Sequence, residues 1–268
     1  MKPATIFMLI LFIGFQSNIV NSQSFTEAAP VMSKKILKDF IHAHLVYPDN
    51  AKKNNEEGKV VIKYDIDKTG EIMEREVLKC VSQDIDKAAL HLFDLIEWQP
   101  ALAYGIPVDS EGTFEIQYHL KKYAKCVRTR GYQQIEFTDF ETDSSYIVYS
   151  VSQLSHPPVP IISEENKNLQ EFILNEMKYP EEAQRLGIKG KVKLSFIIEL
   201  NGIPSNIYVN ENLGGGCCEE SIRILQLIKW IPGIKDNKYV RTNYELVIHF
   251  NPAENPTHHI PSQSNSGL

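Results

Sequence analysis

Four cysteines are the side chains with the clearest capacity for chemistry in this sequence: Cys80, Cys126, Cys217 and Cys218. An even number of cysteines suggests disulfides if the chain is exported, and these four allow three pairings, which the sequence leaves open. Cys217 and Cys218 come just before a predicted helix, whose dipole lowers the pKa of a thiol there and would favour a redox role. We expect instead a structural bridge or simply buried thiols.

Histidines offer no metal site of the usual kind. His42 and His44 are two residues apart and fall on opposite sides of a helix, so they are poor joint ligands. His258 and His259 lie in a polar C-terminal stretch, where we expect solvated side chains. No cysteine pairs have the spacing of zinc knuckles. The sequence therefore predicts no metal centre.

A run of three glycines, Gly214 to Gly216, precedes the same predicted helix and could hold an anion at its N-terminus. Glu219 and Glu220 already lie in that first turn and would repel such an anion. No nucleophile-elbow, zinc-protease or phosphate-loop motif occurs in the chain. We therefore predict that the protein has no catalytic residues, binds no cofactor and is not an enzyme.

The composition is that of an ordinary soluble protein, with 268 residues, 43% hydrophobic and 23% charged. The formal net charge of −6 argues against nucleic acid as a partner, because a phosphate backbone attracts basic surfaces. The length allows one large domain or two small ones.

The first residues, 1–22, have the pattern of an export signal. An apolar run from Ile6 to Phe15 would span about 15 Å as a helix, against a hydrocarbon core of about 30 Å. A small residue just before Gln23 allows cleavage there. We predict a cleaved signal peptide, with an inner-membrane anchor through residues 5–20 as the alternative.

The elements that would position all these residues occur twice. The stretch beginning at Tyr179 repeats the one beginning at Tyr47, 132 residues earlier, without a gap. The same offset links several further pairs: Gly58 and Gly190, Gly70 and Gly202, Trp98 and Trp230, and Pro100 and Pro232. Self-similarity at a fixed period indicates a duplicated structural unit. We place copy one at residues 33–122 and copy two at residues 164–252.

Both copies have the same order of predicted elements. A helix ends at the Tyr-Pro pair, since the residue before proline avoids the α region. Alternation through Val192, Leu194 and Phe196 then predicts a strand with one buried face, and an Asn-Gly pair at 201–202 predicts a hairpin. A second helix and an alternating third strand complete the unit.

These patterns predict an α+β fold of two tandem two-layer domains, each a three-stranded antiparallel sheet with two helices on one face. Trp98 and Trp230 fall where the second helix of each copy ends, and we expect them to anchor the cores. Gly190 and Gly202 are expected to be structural. Residues 123–163 are expected to form a linker with short strands, and residues 253–268 a disordered tail.

Four features of copy two carry a family resemblance. They are the Tyr-Pro pair, the Asn-Gly hairpin, the run GGGCC from Gly214, and KWIPG followed by the closing strand YELVIHF. Over about Leu169–Phe250 this order resembles the C-terminal domain of the TonB family of energy transducers, in the form found in Bacteroidetes-type bacteria. Copy one keeps the helix and the Trp-x-Pro that follows it but lacks the Gly-Gly-Gly-Cys run.

The resemblance implies a protein-binding module in the periplasm. In the family, a short extended segment of an outer-membrane receptor adds as a strand beside the third strand. Carried onto copy two, this implicates the following residues in partner binding: Tyr179, Pro180, Tyr244, Glu245, Leu246, Val247, Ile248, His249 and Phe250. By alternation, Glu245, Val247 and His249 should face away from the core.

The sequence differs from a TonB energy transducer in two respects, and a second function stays open. A true transducer has an inner-membrane helix and a long Pro-rich arm, and the sequence has neither, so energy transduction is not expected. The partner could also be another periplasmic or membrane protein. The alternative function is a structural or adaptor role, in which the copies pair with each other or with a homologous subunit, as in a homodimer.

Overall fold

The computed structural model describes residues 25–163 and 165–252, so the predicted signal peptide and the predicted tail lie outside the described residues. Its helices are α1 (Lys34–His44), α2 (Asp49–Lys53), α3 (Gln83–Asp94), α4 (Leu120–Arg130), α5 (Leu169–Glu176), α6 (Glu181–Arg185) and α7 (Cys217–Leu227). Its strands are β1 (Phe25–Thr26), β2 (Ala29–Pro30), β3 (Gly58–Ile66), β4 (Ile72–Lys79), β5 (Trp98–Gln99), β6 (Ala101–Ala103), β7 (Ile106–Val108), β8 (Ser110–Tyr118), β9 (Glu141–Thr142), β10 (Val148–Ser150), β11 (Val159–Ile161), β12 (Gly190–Ile198), β13 (Pro204–Glu211), β14 (Lys229–Ile231), β15 (Gly233–Lys235) and β16 (Lys238–Phe250).

Copy one contains an antiparallel sheet in the order β4-β3-β8. The central strand β3 alternates between buried and partly exposed residues, because one face of the sheet meets the core and the other meets water. Helix α1 begins where Ser33 Oγ accepts a hydrogen bond from Ile36 N at 3.4 Å, and α3 packs against β3. The predicted α+β class is confirmed for this copy.

Copy two repeats the arrangement around β12, which pairs antiparallel with β13 on one side and β16 on the other. The predicted alternation is confirmed: Val192, Leu194 and Phe196 are all buried. Helix α7 packs against β12 and β13. The sheet is larger than in copy one, because the linker strands β9 and β10 add to β16 in parallel.

In each copy a short strand that precedes the first helix pairs with the strand that carries the tryptophan. In copy one β2 pairs with β5, and Pro30 lies opposite Trp98. In copy two β11 pairs with β14, and Pro160 lies opposite Trp230. Both strands precede residues 33 and 164, at which the sequence pattern places the starts of the copies, and strands of two or three residues show too little alternation to be detected in a sequence.

The hairpin glycine and the tryptophan of each copy lie against one another. Gly202 has φ +72°, and a Cβ there would lie 1.9 Å from the carbonyl oxygen of Trp230. In copy one, a Cβ on Gly70 would lie 2.3 Å from the carbonyl oxygen of Trp98. The backbone of the hairpin thus packs directly on the segment after the helix, which explains why both residue types repeat at the same offset.

Helix α4 lies at the start of the predicted linker and crosses the expected boundary at residue 122. Its last residue, Arg130, donates to the carbonyl oxygens of His42 and Ala43 at 2.8 and 2.9 Å and so caps the C-terminal end of α1. Tyr123 of the same helix is buried against the ring of Tyr47. The sequence prediction missed α4, because its five lysines and arginines leave a short apolar stripe.

The two copies pack against each other. Helix α1 of copy one contacts β13 of copy two, and a cavity of about 410 Å³ lies between them. The first half of β13, from Pro204 to Ile207, is buried, whereas the corresponding strand β4 of copy one is largely exposed. Copy two therefore presents the first half of β13 to copy one, whereas β4 of copy one stays largely exposed.

Candidate partner-binding site

The third strand of copy two, β16, is the centre of the predicted site. From Thr242 to Phe250 it pairs antiparallel with β12 in an unbroken register that ends with Phe250 opposite Gly190. Its side chains alternate as predicted, with Leu246, Ile248 and Phe250 buried and with Glu245, Val247 and His249 exposed. The core thus fixes one face of the strand and leaves the other face in water.

The backbone of β16 has one edge that faces away from β12. Asp143 N donates to Tyr239 O at 2.9 Å, so Tyr239 directs its carbonyl toward the linker, on the side opposite β12. Backbone groups of alternate residues point to opposite edges of a strand. Glu245, Val247 and His249 share the parity of Tyr239, so their N–H and C=O groups point to this outer edge.

The chain's own linker covers the first half of that edge. Strand β9 pairs in parallel with Lys238 and Tyr239, and β10 pairs in parallel with Arg241 to Asn243. Within the described residues, no strand pairs with the outer edge from Tyr244 to Phe250. An open edge of seven residues therefore follows directly after the end of β10.

Charge along this open edge is locally balanced. Lys193 Nζ, on β12, lies 2.9 Å from Glu245 Oε1, and Lys191 Nζ lies 3.2 Å from Glu211 Oε2. All four side chains are partly exposed, so each pair contributes little to stability. The Lys193–Glu245 pair adjoins the open edge, whereas Glu211 belongs to β13 on the other side of β12.

Tyr179 and Pro180 lie beneath the site and not at its edge. The Tyr179 ring is buried and packs edge-on against Phe250, with 5.8 Å between the ring centroids. Its hydroxyl donates to the carbonyl of Ile188, and burial raises its pKa above the usual value. This ring therefore supports the end of β16 from the core side, and its contact with a partner stays a prediction. Leu246, Ile248 and Phe250 are also buried, and by the same alternation their backbone groups point to β12 and not to the open edge.

Two segments of the chain, residues 43–120 and 175–252, match the family model described as Gram-negative bacterial TonB protein C-terminal. Together they cover more than half of the sequence. The chain belongs to this family. The predicted tandem arrangement is thereby confirmed, with one TonB C-terminal domain in each copy.

Similar solved structures are also known. Two NMR solution structures of the Helicobacter pylori TonB C-terminal domain are similar to this chain. The first is 21% identical and covers 32% of this chain and 82% of its own, with a TM-score of 0.25. The second is 22% identical and covers 34% of this chain and 98% of its own, also with a TM-score of 0.25. No curated protein sequence matches the chain.

The glycine run of the second TonB C-terminal domain has a packing role. A Cβ on Gly215 would lie 2.7 Å from Ile188 and 3.1 Å from Ala183. Gly214 N donates a hydrogen bond to Asn212 Oδ1 at 2.7 Å, which closes the turn before α7. The run therefore brings the start of α7 close to α6, and Glu220 in its first turn accepts a hydrogen bond from Lys178 N at 2.6 Å.

All four cysteines are free thiols in the structure. Cys217 and Cys218 are buried at the start of α7, and Cys218 Sγ donates to Asn212 Oδ1 at 3.0 Å. Burial raises the pKa of Cys217 to about 11, which opposes thiolate formation. Cys80 is exposed and Cys126 is partly exposed. The structure thus favours the buried-thiol alternative for Cys217 and Cys218.

Sequence reasoning missed the residues that join the two TonB C-terminal domains. Asn206 Nδ2 donates to Leu95 O at 2.7 Å, and Glu97 N donates to Asn206 Oδ1 at 2.9 Å. Arg241 Nη2 also donates to Leu95 O, at 2.9 Å. The repeat itself contained a signal. Asn206 and Arg241 of copy two correspond, at the offset of 132 residues, to Glu74 and Asp109 of copy one. Acidic side chains at those positions could not donate to a carbonyl.

The described residues contain no cluster of three or more histidine, cysteine, aspartate or glutamate side chains arranged to hold a metal ion. His44 is buried between the copies, where Asn201 Nδ2 lies 3.4 Å from its Nδ1. Within the same part of the chain, no helix is both long enough and apolar enough to span a bilayer.

Proposed function

We propose that this protein is an exported, periplasmic protein-binding protein whose second TonB C-terminal domain takes up an extended segment of an outer-membrane receptor or transporter. The observation that carries the proposal is the open outer edge of β16 from Tyr244 to Phe250. Three residues there, Glu245, Val247 and His249, direct unpaired backbone groups outward, while the opposite edge is fully paired with β12.

An extended peptide satisfies such an edge directly. Unpaired N–H and C=O groups on an edge strand are a template for another strand, and natural proteins usually cover or charge long open edges. Added strands gain affinity from main-chain hydrogen bonds and specificity from side chains at alternate positions. Here the exposed side chains at the edge are few and locally neutralised, so the partner should be recognised mainly by its extended backbone.

Membership of the TonB C-terminal family supports this class of partner, and the signal-like sequence at residues 1–22 supports export. The proposal does not include energy transduction. It also assigns no catalytic chemistry to the chain, so the protein acts through binding.

A second candidate is the structural or adaptor role in which the copies pair with each other. The contact between α1 and β13, with Leu95 O accepting hydrogen bonds from Asn206 and Arg241, favours it. This contact uses the hairpin side of copy two, and the edge of β16 stays open on the opposite side of the sheet. The two roles are therefore compatible, and a homodimer through β16 would be the form that excludes the receptor.

The test is a titration of the full mature chain with peptides from the periplasmic N-terminal segments of outer-membrane receptors. Val247→Pro should abolish binding, because proline removes an N–H donor that points to the open edge. Glu115→Pro changes the matching position of copy one and serves as the control, with binding unchanged. Glu245→Ala and His249→Ala should weaken binding by no more than a few-fold.

The titration can also fail. Normal binding by a folded Val247→Pro protein, with circular dichroism unchanged, would exclude strand addition at this edge. Equal loss of binding in Glu115→Pro would move the site to copy one. A stable dimer in which Val247→Pro yields monomers, together with no peptide binding, would favour the adaptor role.

A further inference from the structure

The linker strands lie on the same edge that the partner would use. Val148, Tyr149 and Ser150 pair in parallel with Arg241, Thr242 and Asn243, and β9 pairs with the two residues at the start of β16. The chain thus already performs strand addition on β16, with its own segment as the added strand. The position where a partner would continue begins immediately beyond Ser150.

Copy one helps to hold this strand in place. Tyr146, just before β10, has φ +61°, a conformation that non-glycine residues rarely adopt. Its hydroxyl lies 2.7 Å from His91 Nδ1, on α3 of copy one, and its carbonyl accepts from Arg241 Nη1 at 2.9 Å, in copy two. Tyr146 therefore contacts both domains immediately before the linker reaches the edge.

The attachment of β10 itself is slight, although the chain is held again further on, where Ser155 N donates to Ile234 O at 2.8 Å. Strand β10 has three residues, and among the described strands it pairs with β16 alone. Ile147 and Val151, on either side of it, are 53% and 40% exposed. A strand that belonged permanently to the sheet would bury such flanking side chains, because burial of apolar surface stabilises the sheet. The segment has the β-branched and aromatic composition of a good strand but is poorly embedded.

We infer that β10 is a displaceable occupant of the β16 edge, positioned by copy one through Tyr146, which limits a partner strand to Tyr244–Phe250 until it is displaced. This inference rests on the proposed function, since it describes regulation of the same edge. In this account copy one positions β10 and does not itself bind the partner. A partner of about seven extended residues fits beside β10, and a longer one competes with it.

The test uses a fluorescent peptide with the sequence of residues 145–152, SYIVYSVS, which contains the strand that already pairs with this edge. In one variant of the full chain, residues 147–151 are replaced by Gly-Ser-Gly-Ser-Gly, which cannot form a stable strand. The peptide should bind this variant about tenfold more tightly than it binds the wild type, as a gain of one or two net backbone hydrogen bonds implies.

A second variant guards against misfolding of the first. Ser150→Cys with Asn243→Cys, in a background of Cys80→Ser and Cys126→Ser, places two thiols at paired positions of neighbouring strands. The oxidised form should bind the peptide more weakly than the same protein after reduction. Equal affinity of the wild type and the Gly-Ser variant, or of the oxidised and reduced forms, would overturn the inference. Because the probe comes from this chain, failure of receptor peptides to bind would count against the proposed function alone.

Discussion

Arg241 and Glu199 form a bidentate ion pair inside the second domain, with Nε 2.7 Å from Oε2 and Nη2 2.8 Å from Oε1. Both side chains are almost completely buried, at 4% and 2% exposure. The same guanidinium donates to Leu95 O in copy one and to Tyr146 O in the linker. One side chain on β16 therefore joins the hairpin of copy two, the first domain and the strand that lies on the candidate binding edge.

Replacing Arg241 by alanine should destabilise the protein by about 3–5 kcal/mol, because it leaves the buried Glu199 carboxylate without a counter-charge, with the Ser205 hydroxyl as its remaining side-chain donor. Urea unfolding of the full chain measures this loss. Lys193→Ala is the matched control, since its ion pair with Glu245 is partly exposed and should be worth about 0–1 kcal/mol. Equal, small losses for both variants would show that Glu199 is not held by Arg241.

Gly202 should tolerate no side chain. Gly202→Ala combines an unfavourable positive φ with a clash against Trp230 O, so we expect a loss at least about 3 kcal/mol larger than that of Gly131→Ala. Gly131 has a similar φ, +79°, but no atom within 4 Å of a Cβ built there, so its loss should be about 1 kcal/mol. Denaturant midpoints of the two variants give the comparison, and similar values would argue against the close contact between hairpin and tryptophan segment.

His44 should make stability fall in mild acid. Burial lowers its pKa from 6.5 to about 4, so the folded protein keeps this imidazole neutral while the unfolded chain becomes protonated. Its stabilising contribution is therefore fully present above pH 6.5 and is lost as the pH falls through about 4, to a total of about 3 kcal/mol. Glu199, Arg130 and Arg241 are the charged groups that act on it.

His44→Gln isolates this effect. The difference in unfolding free energy between wild type and His44→Gln should shrink as the pH is lowered from 7 toward 4, since glutamine does not titrate. Carboxylates elsewhere contribute to both proteins and cancel in the difference. A difference that stays constant over this range would mean that His44 is accessible to water in the folded protein.

Trp230→Ala should lower the free energy of unfolding by about 3–5 kcal/mol, because the side chain is fully buried and packs against Phe196 and Tyr244. Trp98→Ala should cost a similar amount in copy one, where the ring packs against Tyr64 and Phe93. Thermal and urea denaturation of the full chain test both values. Near-neutral changes would mark the rings as contact surfaces.

Much of each domain could be predicted from local pattern. Alternation in β12, the Asn-Gly turn and the breaks at proline are short-range signals, because they depend on side-chain period and backbone restriction. The parity of Glu245, Val247 and His249 followed from the same rule. The repeat strengthened these assignments, since the pattern of each element occurs in both copies.

The remaining features depend on contacts between distant segments. The role of Arg241 requires Leu95 and Tyr146 to approach it, and neither lies near it in the sequence. Tyr179 matched the family motif, but its burial under Phe250 could be known only from the packed core. The placement of β10 on β16 also depends on tertiary contact, because a three-residue strand has too little pattern to specify its partner.

Hydrogen exchange of the full chain tests the central claim most directly. Amide exchange is followed by mass spectrometry with and without a saturating receptor-derived peptide. We predict new protection at Glu245, Val247 and His249, whose N–H groups point to the open edge, and no change in residues 110–118 of copy one. Protection confined to copy one, or binding without any added protection between residues 244 and 250, would contradict strand addition at β16.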